Sequence, residues 1–285
     1  NGLMKFIADN HIVNVVFLST DDHTNRINEL LYSPAGQTDL QSSYVKVPYT
    51  LSIVAGPLGA TGPETITNHT FANIKSLADA FVTAQTTVGV EPIGLMGYPG
   101  LHNLYREGDA TADTAPQAVD FYSPDTFNFT VLDVSANGKN LMVSSVGMNS
   151  TAQNAGLEYT SGDARTVFSF EVDAAPTIAS VQINDGSAQR SRVKSVTVTL
   201  NGVVPAGSIA TSSFLLARTE GGSYVATVQS VSYVGRQTVI LLGFSGPGVG
   251  TDGSLPDGSY TLSVDRTKIP LDIPTQVMVI ATFRT

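Results

Sequence analysis

The chain has 285 residues, 15 basic and 24 acidic, with a formal net charge of −9 and no cysteine. The acidic excess disfavours nucleic-acid binding, and the lack of thiols excludes disulfides, thiolate metal sites and cysteine nucleophiles while leaving the compartment open. Only 14% of residues are charged, and the wealth of Thr, Ser, Gly, Val and Ala suits an extracellular β-rich protein with room for roughly two domains.

No stretch reaches the ~18–20 apolar residues of a membrane span. The chain opens Asn1-Gly2-Leu3 without an initiator Met, basic segment or apolar leader, so we expect a fragment whose targeting signal lies upstream. Leu3, Met4, Phe6 and Ile7 follow helical spacing and predict the end of an amphipathic helix over 2–10. A strand follows over 12–19, in which Val15, Val16, Phe17 and Leu18 form a continuous apolar run, the pattern of a strand covered on both faces.

That strand runs into Asp21, Asp22 and His23. Ligands of α/β sheets bind beyond the carboxyl ends of their strands, and an Asp two residues from a His offers oxygen and nitrogen ligands to a metal ion. A plain turn is the competing reading, with Asp21 or Asp22 capping a helix that starts over Arg26 to Leu31.

A second apolar strand, Tyr49 to Ala55, ends in the glycine-rich loop Gly56 to Pro63, which lacks the Gly-Lys-Ser/Thr ending of a phosphate-cradling loop and reads as a structural turn. Thr67 to Thr70 reads as an N-cap, and Phe71, Ile74, Leu77, Ala78, Phe81 and Val82 predict a helix over 69–85, with His69 in its first turn. From Gly89 to Asp120 the pattern dissolves into a long loop that offers His102, Arg106 and Asp109 as candidate substrate contacts.

Thr126 to Val134 and Leu141 to Val146 flank Asn137-Gly138, a strong hairpin signal. A further strand, Thr166 to Val172, precedes the boundary at Asp173 to Pro176, which separates residues 1–173 from 174–285. Beyond it, six strands, Ile178–Ile183, Val193–Leu200, Phe214–Arg218, Tyr224–Val234, Thr238–Phe244 and Tyr260–Val264, predict an Ig-like β-sandwich. Asn184-Asp185-Gly186 and Thr251-Asp252-Gly253 read as turns before calcium loops. The tail from Asp272 has no clear place in the pattern.

The order of these parts, helix, Asn14 to Leu18, Asp-x-His, Ser52 to Ala60 and late hairpin, resembles the carboxyl-terminal half of the calcineurin-like metallophosphoesterases, especially the alkaline phosphatase D (PhoD-like) branch. The resemblance implies an α/β, αββα-type sandwich, truncated here, and a secreted or cell-envelope hydrolase of phosphate mono- or diesters. It implies two metal ions of Fe, Ca, Zn or Mn type that polarise the phosphoryl oxygen and activate a bridging water. Asp21 and His23 fall on the liganding positions, with Thr20 in place of the family's glycine, and Asp22, Asn25 and Asn28 are candidates for the groups that orient them. The family's other ligands belong to the first half and have no counterpart in this chain, so it is expected to be inactive alone. Asn68-His69 has the composition of one of them but follows the Asp-x-His motif instead of preceding it. Val181 to Ser191 and Leu255 to Leu262 resemble sandwich modules appended to secreted planctomycete-type proteins, an accessory domain that would associate with the envelope. The alternative is a non-enzymatic β-rich surface or adhesion protein.

Overall fold

The computed structural model describes residues 2–20, 22–34, 44–56, 58, 63–88, 92–149, 164–186 and 192–285. It divides into two compact units, Asn1–Ala174 and Ala175–Thr285. Strands dominate both, and no described helix is long and apolar enough to cross a membrane.

The first unit comprises α1 (Gly2–Asp9), β1 (Val15–Ser19), β2 (Asn25–Tyr32), β3 (Val45–Val54), α2 (Glu64–Thr67), α3 (Phe71–Val88), β4 (Leu101–Arg106), β5 (Tyr122–Ser123), β6 (Thr126–Val134), β7 (Asn140–Asn149) and β8 (Arg165–Asp173). One sheet runs β1-β3-β2-β5 and the other β4-β8-β7-β6. β1 and β3 are parallel, whereas β2 is antiparallel to β3 and to β5. Ile27, Leu51 and Ile53 from the first sheet and Phe168 and Phe170 from the second are almost fully buried. Phe121 meets Phe170 edge-on, with ring centroids 5.5 Å apart.

Three local expectations are corrected here. Arg26 to Leu31 lies within strand β2, because its backbone is paired along β3, with β5 joining at Arg26; that tertiary pairing outweighs the i, i+3, i+4 spacing of Ile27, Leu30 and Leu31. Among the described strands β1 pairs with β3 alone, at the edge of the sheet, and Val16 and Leu18 are exposed, since an apolar run does not report how many neighbours a strand has. Residues 101–106 form β4 within the expected loop; Asn103 adopts a positive φ of 51° and the register shifts between His102 and Tyr105, which disrupts the alternation that reveals a strand.

α3 begins two residues after His69, capped by Thr70, whose Oγ1 accepts the Asn73 amide at 3.4 Å. Ile74 and Ala78 form its buried stripe, and Phe81 sets its ring edge-on to Tyr122 at 5.9 Å. The hairpin closes at Ser135, whose carbonyl accepts the Gly138 amide at 2.8 Å, with Gly138 at a φ of 67°.

The second unit contains β9 (Thr177–Ile183), β10 (Val196–Asn201), β11 (Phe214–Arg218), β12 (Val225–Val234), β13 (Gln237–Ser245), β14 (Ser259–Asp265) and β15 (Val277–Arg284). They form two sheets, β12-β13-β10-β9 and β11-β14-β15. Alternating residues of both sheets, among them Val198, Leu200, Ile240, Leu262, Val264 and Phe283, join one apolar core, which makes the unit a β-sandwich. The unplaced tail is β15, paired along its length with β14. The two Asx-Gly segments are turns: Asn184 Oδ1 accepts the Lys194 amide at 2.8 Å, and Asp252 Oδ1 accepts the Ser254 hydroxyl at 2.7 Å.

Tyr260, buried at the start of β14, stacks on Phe283 and donates its hydroxyl to the Pro256 carbonyl at 2.9 Å. Burial, with Tyr224 adding to it, pushes this phenol up to about 12. We expect Tyr260→Phe to remove one buried hydrogen bond and lower stability by about 1 kcal/mol in urea melts of the whole chain; an unchanged midpoint would show the corner to be dispensable.

Candidate functional site

The parallel pair β1 and β3 sends two loops out at one end of the first sheet. Their backbones stay joined past the strands, where the Ala55 amide donates to the Ser19 carbonyl at 2.9 Å. Asp21 lies outside the described residues, as do most of residues 57–62 of the glycine-rich loop. His23 is exposed at this end. Asp22 accepts Arg26 at 3.0 Å and the Thr24 hydroxyl at 3.2 Å, the pairing of a side chain that shapes its own turn.

Asn25 opens β2 with its side chain fully buried. Its Nδ2 lies 3.0 Å from Asn128 Oδ1 on β6, 3.1 Å from Thr130 Oγ1 and 3.0 Å from Ser145 Oγ on β7. Two protons serve two of these acceptors at a time, and the hydroxyls rotate to accommodate. Asn128 completes the link by donating to the Thr126 carbonyl at 2.9 Å. Gly56 faces the same amide: a Cβ there would overlap the Asn128 side chain, so glycine is the residue that lets the end of β3 close over this network. Asn25 therefore ties the two sheets together, and Asn28 holds the Pro92 carbonyl at 3.0 Å.

A concave polar site lies on the far side of β5. Ser123 pairs with Asn25, and two residues further on stands Asp125, which is 1% exposed at its side chain. Its Oδ2 accepts the Thr67 hydroxyl at 2.5 Å and sits 3.1 Å from His69 Nδ1. Burial raises the phenol of Tyr122, with Asp22 and Asp125 adding to the rise and Arg26 opposing it. Arg106, from the end of β4, and Arg165, from the start of β8, line the same cavity of about 180 Å³.

The other candidate contacts are dispersed. His102 Nε2 lies 3.3 Å from Asp173 and 3.2 Å from Asn140, while Asp109 accepts the Thr111 amide and hydroxyl, each at 2.8 Å. No group of three or more His, Asp or Glu side chains placed to hold a metal ion occurs among the described residues. Nothing in the residue spacing links Asp125 and Arg165 with His69 and Arg106, because they lie on separate elements and spacing cannot register the burial of a guanidinium. Comparison with protein-family models, with curated proteins and with solved structures finds no match.

Near this site, Asp120 is fully buried and accepts the Gln117 amide at 2.6 Å. Burial pushes its carboxyl up to about 6; the Gln117 amide opposes the rise and the Asp109 carboxylate adds to it. The folded chain thus holds this proton more tightly than the unfolded chain does. The associated stability is fully present below about pH 4 and is lost as pH rises through about 6, a change on the order of 2 kcal/mol. We expect Asp120→Asn, which mimics the protonated acid, to flatten this part of the stability–pH curve; an unaltered slope would contradict the assignment.

Proposed function

We propose that the first unit is the carboxyl-terminal part of a secreted metal-dependent phosphoesterase, acting on phosphate mono- or diesters, in which Asp21 and His23 supply ligands to a two-metal centre. The observation that carries this reading is the position of His23: it follows strand β1, which runs parallel to β3, at the end where the loops leaving both strands stay joined by the Ser19–Ala55 hydrogen bond. Open parallel sheets bind ligands at that end. Among the described strands β1 pairs with β3 alone, and in this reading a preceding half extends the sheet beyond it.

In this reading the ligands beyond Asp21 and His23 come from a preceding segment, and no catalytic step is assigned to this chain alone. When bound, the metals would polarise a phosphoryl oxygen and generate a hydroxide nucleophile. The role of this chain is to present His23 on a short loop anchored behind by Asn25. Asp22 shapes that loop through Arg26 and Thr24.

The second unit is an Ig-like accessory domain in this reading. Its pairing, β12-β13-β10-β9 against β11-β14-β15, follows the constant-type order, and the Tyr260–Pro256 bond at 2.9 Å is the corner that accompanies it. A cell-envelope location follows from the same resemblance.

One observation favours a non-enzymatic surface protein: the Asp22 carboxylate is already committed to Arg26 and Thr24. The two readings separate on turnover. In a parent chain carrying the complete ligand set, His23→Ala is expected to reduce metal-dependent hydrolysis of an aryl phosphate by several orders of magnitude. Unchanged turnover would remove His23 from the centre and leave the surface-protein reading.

A further inference from the structure

We propose that the cavity between the start of α3 and the adjoining edge of the second sheet binds a tetrahedral oxyanion, of phosphate or sulfate type, on Arg106, Arg165 and His69. The inference stands on this cavity alone and does not depend on the metal centre.

Arg106 is the principal observation. It is 2% exposed; Nη1 donates to the neutral Val167 carbonyl at 3.1 Å, and Nε has no hydrogen-bond partner among the described residues. Burying a guanidinium without close pairing costs several kcal/mol, which an anion in the adjoining cavity would offset through charge-assisted hydrogen bonds. Burial also depresses the proton affinity of this group, with Asp125 and Glu107 opposing that effect.

The acids around the cavity are already engaged. Glu107 takes the Arg165 Nε at 2.6 Å, and Asp125 takes the Thr67 hydroxyl at 2.5 Å. Arg165 reaches Asn149 through Nη2 at 2.7 Å and stands at the rim, its side chain 36% exposed. It can therefore meet an incoming anion from solvent.

His69 supplies the third observation. Both of its ring nitrogens are buried without a hydrogen bond; the 3.1 Å approach of Nδ1 to Asp125 is close but misaligned. Asn68 and His69 hold consecutive positive φ angles of 46° and 53°. Non-glycine residues rarely adopt this region, and such backbone strain concentrates where a side chain must be placed for a ligand. Gly108, at a φ of 85°, lets Phe71 close the apolar wall, where a Cβ would come within 3.0 Å of the phenyl side chain. The remaining space, about 180 Å³, accommodates a four-oxygen anion.

The test is calorimetric titration of the whole chain with sodium sulfate, inorganic phosphate, glycerol 2-phosphate and acetate at constant ionic strength. Sulfate and phosphate are expected to bind one per chain with Kd about 1 mM or tighter. Affinity should fall at least about tenfold in His69→Gln and in Arg165→Met, with the exposed control Asp79→Asn unchanged. Arg106→Met is expected to abolish binding; if it does not fold, the other two variants carry the test. Tighter binding of glycerol 2-phosphate than of phosphate assigns the site to an ester's phosphoryl group, and equal binding assigns it to the free anion. Absence of saturable binding, equal affinity for acetate, or full affinity in His69→Gln and Arg165→Met would each overturn the proposal. His23→Ala should leave binding intact, so failure of the phosphoesterase reading remains distinguishable from failure of this one.

Discussion

The Asn25 side chain is the point on which the first unit turns. A buried amide nitrogen must find partners or cost several kcal/mol, and Asn25 Nδ2 finds them on a different sheet, at Asn128, Thr130 and Ser145, while its Oδ1 has no hydrogen-bond partner among the described residues. Hydrophobic packing brings the sheets together without specifying their register, whereas directional hydrogen bonds fix the start of β2 against the middle of β6 and β7. Everything at the loop end of β1 and β3 is built on that fixed point. Gly56 has no Cβ because Asn128 occupies the space, and the turn from Asp22 to Thr24 enters β2 directly at Asn25.

From the same corner, β5 carries the chain on to Asp125 and the cavity. Two kinds of polar chemistry thus flank the first sheet's end. On one side an exposed imidazole rides on a loop beyond a parallel strand; on the other a buried guanidinium and a histidine at a positive φ line a cavity that opens at the Arg165 rim. The first is inexpensive to keep, since an exposed histidine costs little. The second is costly in burial and in backbone strain, and such costs are characteristic of sites maintained for a ligand.

Elements governed by local rules were readable from the chain. The alternation on both sides of Asn137-Gly138 becomes β6 and β7, and the Phe71 to Val82 spacing becomes α3, which starts at Phe71 because Thr70, the last residue of the expected cap segment, supplies the cap. The strands of the second unit show the same alternation, though β15 was missed because its apolar residues lie partly on an exposed face. Elements decided at long range were not readable. β2 has a helical spacing and is a strand because β3 pairs along its length, with β5 at its first two residues; β4 is interrupted by a left-handed Asn103. Of the site, the sequence pointed to His23, His69 and Arg106 one at a time. It could not join His69 and Arg106 to Asp125 and Arg165, nor show that Asn25 faces the second sheet.

The central claim is that the Asn25–Asn128 contact couples the two sheets. A double-mutant cycle of Asn25→Ala and Asn128→Ala, read by urea unfolding, tests it most directly. The account predicts a coupling energy of about 1–3 kcal/mol, as expected for a buried amide pair whose loss strands its partner. Additive single-mutant effects, with coupling near zero, would contradict it.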